Sequence, residues 1–247
     1  MKLVITILGL CLYSLGAMAS PNINIGSVFD YMDAGHSSYL KRVYNGGSST
    51  AFVRVSILEI VYKADGTHEE VPLNSKGNSP TRDGLIASPA RLIVPAKGNQ
   101  GTRLVFKGTR DKERYYRVRF VPVVPEKEDQ FAISEGEVSE YKKSLSAGVN
   151  VMAGYGTVFI VRPANARFDT RIEDTPLQYT LRNNGNTVVV LEAFKDCSLK
   201  DAQDCKPVTL HHVLPGRFMT FTKEADRHYR FNLKEGHVKK NIEVKGR

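Results

Sequence analysis

The sequence predicts an all-β protein made of two immunoglobulin-like β-sandwiches in tandem. Short segments rich in β-branched and aromatic residues recur along the chain, turn residues separate them, and no stretch has a convincing helical period. About seven such segments fall within about 140 residues, which is typical of an immunoglobulin-like sandwich. A second set of short segments follows a break at residues 162–166. Two β domains therefore fit the length of 247 residues.

The first sandwich is assigned to residues 20–162. A tight-turn signal at Asp65-Gly66 folds one strand back onto the next, and Pro89 interrupts another. A long polar loop, Pro125 to Ser146, separates the last two strands. Before this loop the predicted strands are Asn22–Phe29, Tyr39–Tyr44, Ala51–Tyr62, Glu69–Leu73, Leu85–Val94, Thr102–Phe106 and Arg114–Val124.

The second sandwich is assigned to residues 163–247. The run Asn183–Asn186 is a strong turn signal between two of its strands, and no internal repeat appears. The predicted strands are Arg167–Ile172, Leu177–Arg182, Thr187–Phe194, Val208–Val213, Phe218–Thr222, Tyr229–Leu233 and Val238–Val244.

Residues 1–19 have the pattern of a secretory signal peptide. Lys2 supplies the positive charge, Leu3–Leu15 is mostly apolar, and Ala17-Met18-Ala19 fits the small-x-small cleavage rule. A membrane anchor is the weaker alternative, because the apolar run falls short of the roughly 20 residues needed to cross a bilayer. The sequence therefore predicts an exported protein without stable membrane insertion, starting at Ser20.

Two cysteines remain after the signal, Cys197 and Cys205, and an oxidising compartment suits such a pair. A disulfide between them would restrain the intervening polar loop. Metal binding is the alternative, and it is poorly supported because the neighbouring His211 and His212 are adjacent in a predicted strand. Their side chains would then point to opposite faces, so no metal site is expected.

Composition and motifs argue against nucleic-acid binding and catalysis. The net charge is +9, and the basic residues are spread along the chain rather than clustered in a stripe with stacking aromatics. An acidic protein partner, or a carboxylate to be held, explains this charge better than nucleic acid. The chain has no nucleophile elbow, no P-loop and no His-Glu-x-x-His motif, so we expect neither an enzyme nor a cofactor.

The stretch from Leu145 to Pro163 carries the functional prediction. Its second half, Thr157–Val161, is continuously apolar and suits a buried strand. Upstream, Val149, Val151 and Ala153 alternate with other residues, which places the three on one face of an extended chain. An apolar edge of this kind is suited to adding a strand to a partner. The alternative is an ordinary core strand that follows a surface loop.

Several segments together resemble the periplasmic pilus chaperones. These are Ser88–Phe106 (SPARLIVPAKGNQGTRLVF) and Asp111–Phe120 (DKERYYRVRF), followed by the loop and the alternating strand that ends in Arg162-Pro163. The order matches that of the family over nearly the whole mature chain. The pair Cys197/Cys205 and the Tyr-Tyr-Arg run look more like the alternate chaperone–usher branch.

The resemblance implies a chaperone that binds pilus subunits and delivers them to an outer-membrane usher. Its donor strand would place Val149, Val151 and Ala153 in the groove left by the subunit's missing strand. Whether the free protein self-associates through the same strand is left open. The alternative, a secreted pilus subunit or adhesin, would need a donor strand near its own mature N-terminus.

The resemblance also implies a basic pair that holds the subunit's terminal carboxylate. This sequence departs from the usual pattern, because the usual Lys position is Val158 and the usual Arg position is Gly26. Alternation along Arg114–Val124 turns Arg117 and Arg119 away from the apolar face, which makes them the candidate anchor. A pair on a solvated face is the alternative.

Overall fold

A computed structural model describes residues 20–73, 83–145, 152–201 and 203–247. The prediction of a nearly all-β chain with immunoglobulin-like domains is confirmed. The predicted signal peptide, Val149 and Val151 lie outside the described residues. Among the described helices, none is long and apolar enough to cross a membrane.

The chain divides into two compact units. The first contains the chain up to Asp30, together with Ser38–Lys107 and Tyr116–Phe159. The second contains Tyr31–Ser37, Gly108–Tyr115 and Ile160–Arg247. The single domain boundary predicted after Arg162 stays a prediction.

The first ten strands form two sheets. One has the order β1-β3-β8-β6, and the other has the order β2-β10-β9-β4-β5 with β7 also paired to β4. Their bounds are β1 Ile23–Asn24, β2 Phe29–Met32, β3 Ser38–Asn45, β4 Ala51–Tyr62, β5 His68–Pro72, β6 Gly84–Ser88, β7 Arg91–Val94, β8 Asn99–Lys107, β9 Arg114–Val123 and β10 Tyr155–Val161.

Period-two burial places the core of these sheets. In β9, Tyr116, Val118 and Phe120 are fully buried while the intervening residues are not, as the sequence alternation predicts. Each of these side chains contributes roughly 1.5–3 kcal/mol by leaving water. The buried residues of β9 fix which face carries Arg117 and Arg119, namely the opposite one.

The segment predicted as a polar loop is not irregular throughout, and that part of the prediction is wrong. It contains a 3₁₀ turn, Lys127–Asp129, and helix α1, Glu135–Leu145. Ser134 and Glu137 form a reciprocal capping box in which each side chain accepts the other's backbone N–H.

Aromatic contacts hold the helical segment on strand β4. The ring of Phe52 in β4 meets Phe131 at 5.3 Å and Tyr141 of α1 at 4.8 Å, both edge to face. Arg54 forms an ion pair with Asp129 at 3.3 Å. Tertiary packing on an aromatic side chain therefore stabilises a helix whose own sequence is mostly polar.

The last seven strands form two further sheets around a second core. Tyr179, Leu191 and Phe231 lie in this core, and Phe194 packs against it. The sheet orders are β11-β12-β15 and β14-β13-β16-β17. The bounds are β11 Thr170–Asp174, β12 Gln178–Asn183, β13 Val189–Ser198, β14 Thr209–Val213, β15 Phe218–Thr222, β16 Arg227–Glu235 and β17 Val238–Lys245.

The predicted disulfide is confirmed, because Cys197 and Cys205 are bonded at an S–S distance of 2.03 Å. Charged groups brace the same loop. Asp196 lies 2.7 Å from Lys206 and 2.5 Å from Arg227. Burial by itself raises the pKa of Asp196, but hydrogen bonds from Lys206 and Arg227 outweigh burial, so its pKa is lowered.

Candidate functional site

Strand β10 changes from exposed to buried along its length. Tyr155 at its start is 38% exposed, whereas Thr157 and Phe159 are fully buried. Ala153, just before the strand, is exposed. The described end of the predicted donor strand therefore lies at the surface, and the half predicted to be core is buried from Thr157 onward apart from the half-buried Val158.

β10 runs between β2 and β9 and approaches β9 closely. A Cβ placed on Gly156 would lie 3.2 Å from Cδ of Arg117, and one on Gly154 would lie 3.3 Å from the carbonyl oxygen of Phe120. Close packing of β9 against the strand is the reason that the structure gives for small residues here.

A buried polar cluster lies on the other side of β10. It consists of Lys41, Asp30, Tyr39 and Thr157, and we call it the Lys41 cluster. Lys41 Nζ donates to Asp30 Oδ2 at 2.7 Å and to the Ser27 carbonyl at 2.6 Å. The side chains of Lys41 and Asp30 are only 4% and 2% exposed.

Asp30 ties three strands together through this cluster. It accepts hydrogen bonds from Tyr39 Oη at 2.8 Å and from Thr157 Oγ1 at 3.0 Å, in β3 and β10 respectively. Burial, with the hydrogen bond to Asp30, raises the pKa of Tyr39 to about 12. The buried charge of Lys41 is thus matched by one carboxylate, and sequence reasoning missed this pair.

The candidate anchor residues both contact Glu70 of β5. Arg117 Nε lies 2.9 Å from Glu70 Oε1, and Arg119 bonds to Glu70 Oε2. Burial alone raises the pKa of Glu70, but the hydrogen bond from Arg117 and both guanidinium charges outweigh it, so its pKa is lowered. Two cations share one carboxylate, which leaves an excess of one positive charge.

Neither of the two usual basic positions carries a charge, and at Gly26 the backbone gives a reason. Gly26 has a φ of +66°, in the left-handed region that side chains other than glycine rarely adopt. Its N–H donates to Asn24 Oδ1 at 2.6 Å, which closes a turn between β1 and β2. At the other position, the Val158 N–H donates to the Val28 carbonyl at 2.9 Å, and the Val158 side chain is half-buried.

Fold and site together define a class: tandem immunoglobulin-like proteins with a strand that emerges from the core of one sheet. No family model matches the chain. Curated relatives named probable fimbrial chaperone EcpB do match it. The one from Klebsiella pneumoniae is 26% identical over 234 residues, covering 93% of this chain and 95% of the relative. The one from Escherichia coli O157:H7 is 25% identical over 231 residues, covering 92% and 94%.

Solved structures of similar fold agree with these relatives. The class 5 fimbriae chaperone CfaA is 20% identical with a TM-score of 0.55, covering 90% of this chain and 98% of that one. The SafB chaperone in complex with SafA pilin from Salmonella enterica is 16% identical with a TM-score of 0.54, covering 92% of this chain and 98% of that one. The comparisons confirm the resemblance to fimbrial chaperones, and they support the chaperone role rather than that of a pilus subunit or adhesin.

Proposed function

We propose that this chaperone lends the segment containing Val149, Val151 and Ala153 to pilus subunits as a donor strand. The observation that carries the proposal is the passage of the chain from an exposed Ala153 and Tyr155 to a fully buried Thr157 within β10. A strand anchored at one end and exposed at the other is suited to β-strand addition. The similar SafB structure is that of a chaperone in complex with SafA pilin.

The side chains of the donor segment explain how such a complex is later taken apart. Valine and alanine are small, so they fill the pockets of a subunit's open groove only in part. Unfilled space forfeits packing energy, which leaves the bound subunit in a higher-energy state. A bulkier donor strand from a neighbouring subunit then displaces the chaperone at an outer-membrane usher without ATP.

A pair of charged aspartates tests the donor segment. The double variant Val149→Asp/Val151→Asp places carboxylates in apolar pockets, and we expect periplasmic recovery of the co-expressed subunit to be abolished. The matched control is Val208→Asp, because Val208 is 58% exposed in the second unit. Normal subunit recovery with the double variant, at normal chaperone levels, would overturn the proposal.

Arg117 and Arg119 form the proposed anchor for the subunit's terminal carboxylate. Their shared partner Glu70 neutralises one of the two positive charges, so the remaining positive charge would attract a second carboxylate. Arg117 also packs beside β10, where the bound strand would end. The Lys41 cluster is a weaker choice, because its charges are matched one to one and are buried.

Arg117→Ala tests the anchor against a suitable control. Arg110, another arginine outside the core, is not suitable as the control variant. Its guanidinium donates to the Asp33 carbonyl at 2.8 Å and to the His36 carbonyl, so replacing it would disturb the fold. Arg42 is exposed and, among the described residues, forms one weak contact, 3.4 Å from Asn99, so Arg42→Ala is the matched control.

We expect Arg117→Ala to weaken subunit binding by about 1.5–3 kcal/mol, the range for a charge-assisted hydrogen bond, and Arg42→Ala to have little effect. Amidating the subunit's terminal carboxylate should remove the difference between the Arg117 variant and the wild type. An Arg117 effect that persists with the amidated subunit would discard the anchor.

Export to the periplasm and cleavage after Ala19 complete the proposed function. The relatives are chaperones, a non-catalytic class, and we propose that this chain likewise has no enzymatic activity and needs no cofactor. Intact-mass measurement of the protein from a periplasmic extract tests the export step. A chain beginning at Ser20 is expected, and a chain retaining Met1 in the membrane fraction would contradict it.

A further inference from the structure

The second unit carries a hollow on the outer face of its larger sheet. Its volume is about 630 Å³, and strands β13, β16 and β17 form its floor. A bulge in β13, where Ala193 has a φ of +52°, and the disulfide Cys197–Cys205 lie along one side. Tyr229 and Phe231 point into the core, so His228 and Arg230 face outward into the hollow.

Like charges face each other across this floor. Lys195 of β13 is paired in register with Arg230 of β16, and Arg230 is paired in turn with Glu243 of β17. Cations directly opposite each other destabilise a sheet. Within the described residues, Lys195 has no carboxylate at ion-pair distance. The Arg230–Glu243 contact, 3.3 Å, joins two largely exposed side chains and contributes little.

The neighbouring rows add donors to this positive charge. One row pairs Cys197, His228 and Lys245, and the exposed Lys245 adds a further cation. The row on the other side pairs Asn232 with Asn241, whose amide groups can donate. A group that brings carboxylates would satisfy these donors and relieve the repulsion.

We propose that this hollow binds an acidic, extended segment of a partner protein. The rows of Lys195 and His228 are two residues apart along their strands, a spacing of roughly 6.5–7 Å. An extended peptide repeats its side chains at the same spacing, so alternate Asp or Glu residues match both rows. The chain's net charge of +9 favours the encounter with such a segment. The residues that line the hollow include none from the donor strand.

A labelled acidic peptide tests the site on the full chain purified from periplasm. The probe is a fluorescein-labelled peptide in which Asp alternates with Val, and a second peptide has Asn in place of every Asp. We expect saturable binding of the acidic peptide by fluorescence anisotropy. The charge-reversal variant Lys195→Glu/Arg230→Glu should weaken it at least about tenfold.

The matched control is Arg171→Glu/Arg182→Glu. These two arginines are likewise paired in register, between β11 and β12, but they lie away from the hollow, and Arg182 stacks over the Phe218 ring at 5.0 Å. Binding by this control should equal that of the wild type. If the charge reversal at the hollow fails to fold, as judged by circular dichroism, Lys195→Gln/Arg230→Gln replaces it with the same expected loss.

Four results would overturn the proposal. They are equal losses in the two charge-reversal variants, equal binding of the Asn peptide, displacement of the peptide by an equimolar amount of inorganic phosphate, and binding to phosphatidylglycerol vesicles without binding to the peptide. The third result would assign the hollow to a lone anion, and the fourth would assign it to an anionic membrane surface.

Discussion

Removing the buried charge of Lys41 should destabilise the first unit strongly. Lys41→Met keeps the length and apolar stem of the side chain but leaves the carboxylate of Asp30 without its cation. Both side chains are at most 4% exposed, so water cannot compensate for the loss. Breaking a buried ion pair by removing one partner typically costs about 3–5 kcal/mol.

Urea unfolding followed by far-ultraviolet circular dichroism measures this loss, since the chain has no Trp to report by fluorescence. With an m-value of about 2.5 kcal/mol per M, a loss of about 4 kcal/mol lowers the unfolding midpoint by about 1.6 M. The double variant Lys41→Met/Asp30→Asn removes the uncompensated charge while Tyr39 keeps an acceptor. It should recover at least about 2 kcal/mol. A single-variant cost below about 1 kcal/mol, or no recovery in the double variant, would refute this account of the Lys41 cluster.

Three further predictions concern other parts of the chain. Burial, with the charge of a neighbouring histidine, lowers the pKa of His212 to about 4, so the folded protein should lose stability as pH falls from 6.5 toward 4, and His212→Gln should flatten this part of the pH–stability curve. Cys197→Ser/Cys205→Ser should cost about 2.5 kcal/mol of unfolding free energy, for a bond that closes a separation of eight residues. Tyr141→Ala should expose α1 to limited proteolysis by removing its ring from Phe52, at a cost of about 2–4 kcal/mol.

Each of these predictions has a control within the same protein. His211→Gln should change the pH dependence less, because His211 is less buried than His212. Wild type measured under reducing conditions should match the cysteine double variant. Ser139→Ala, on the exposed side of α1, should leave proteolysis unchanged. A pH profile unaffected by His212→Gln, or proteolysis at α1 unaffected by Tyr141→Ala, would contradict the packing described.

The strands were predictable where local pattern alone decides them. Ala51–Tyr62 and Phe218–Thr222 match β4 and β15 at both ends, because alternation and flanking turn residues are unambiguous there. Asn22–Phe29 was predicted as one strand but is divided into β1 and β2 at Gly26. The sequence Asn24-Ile25-Gly26 contains the Asn and Gly that favour such a turn.

Helix α1 was missed although its start is visible in the sequence. Ser134 followed by Glu137 is a capping-box pattern, and Lys142 and Lys143 suit the last turn of a helix. The apolar content is too low to suggest a helix by periodicity. The contact that stabilises it, Tyr141 on Phe52, joins residues far apart in sequence and could not be inferred.

The sequence predicted which face of β9 carries the two arginines of the candidate site, but not the residue that they pair with. Alternation along β9 correctly separated Arg117 and Arg119 from the buried side chains. Their partner Glu70 lies two strands away in the sheet order, beyond β4, so no local rule could identify it. Lys41 shares its face with the buried Val43, which was a hint of burial, but the matching Asp30 depends on how β2, β3 and β10 meet.

Because the residues of α1 are already helical, they have little backbone freedom left to lose when a partner binds. Its eleven residues span about 16 Å as a helix, whereas the same residues would reach about 36 Å if extended. Residues already folded against Phe52 surrender no further backbone freedom on complex formation, which spares roughly 1–2 kcal/mol for each of them. In the described part of the link between β9 and β10, helix α1 is therefore a rigid insert whose backbone order a partner does not have to supply.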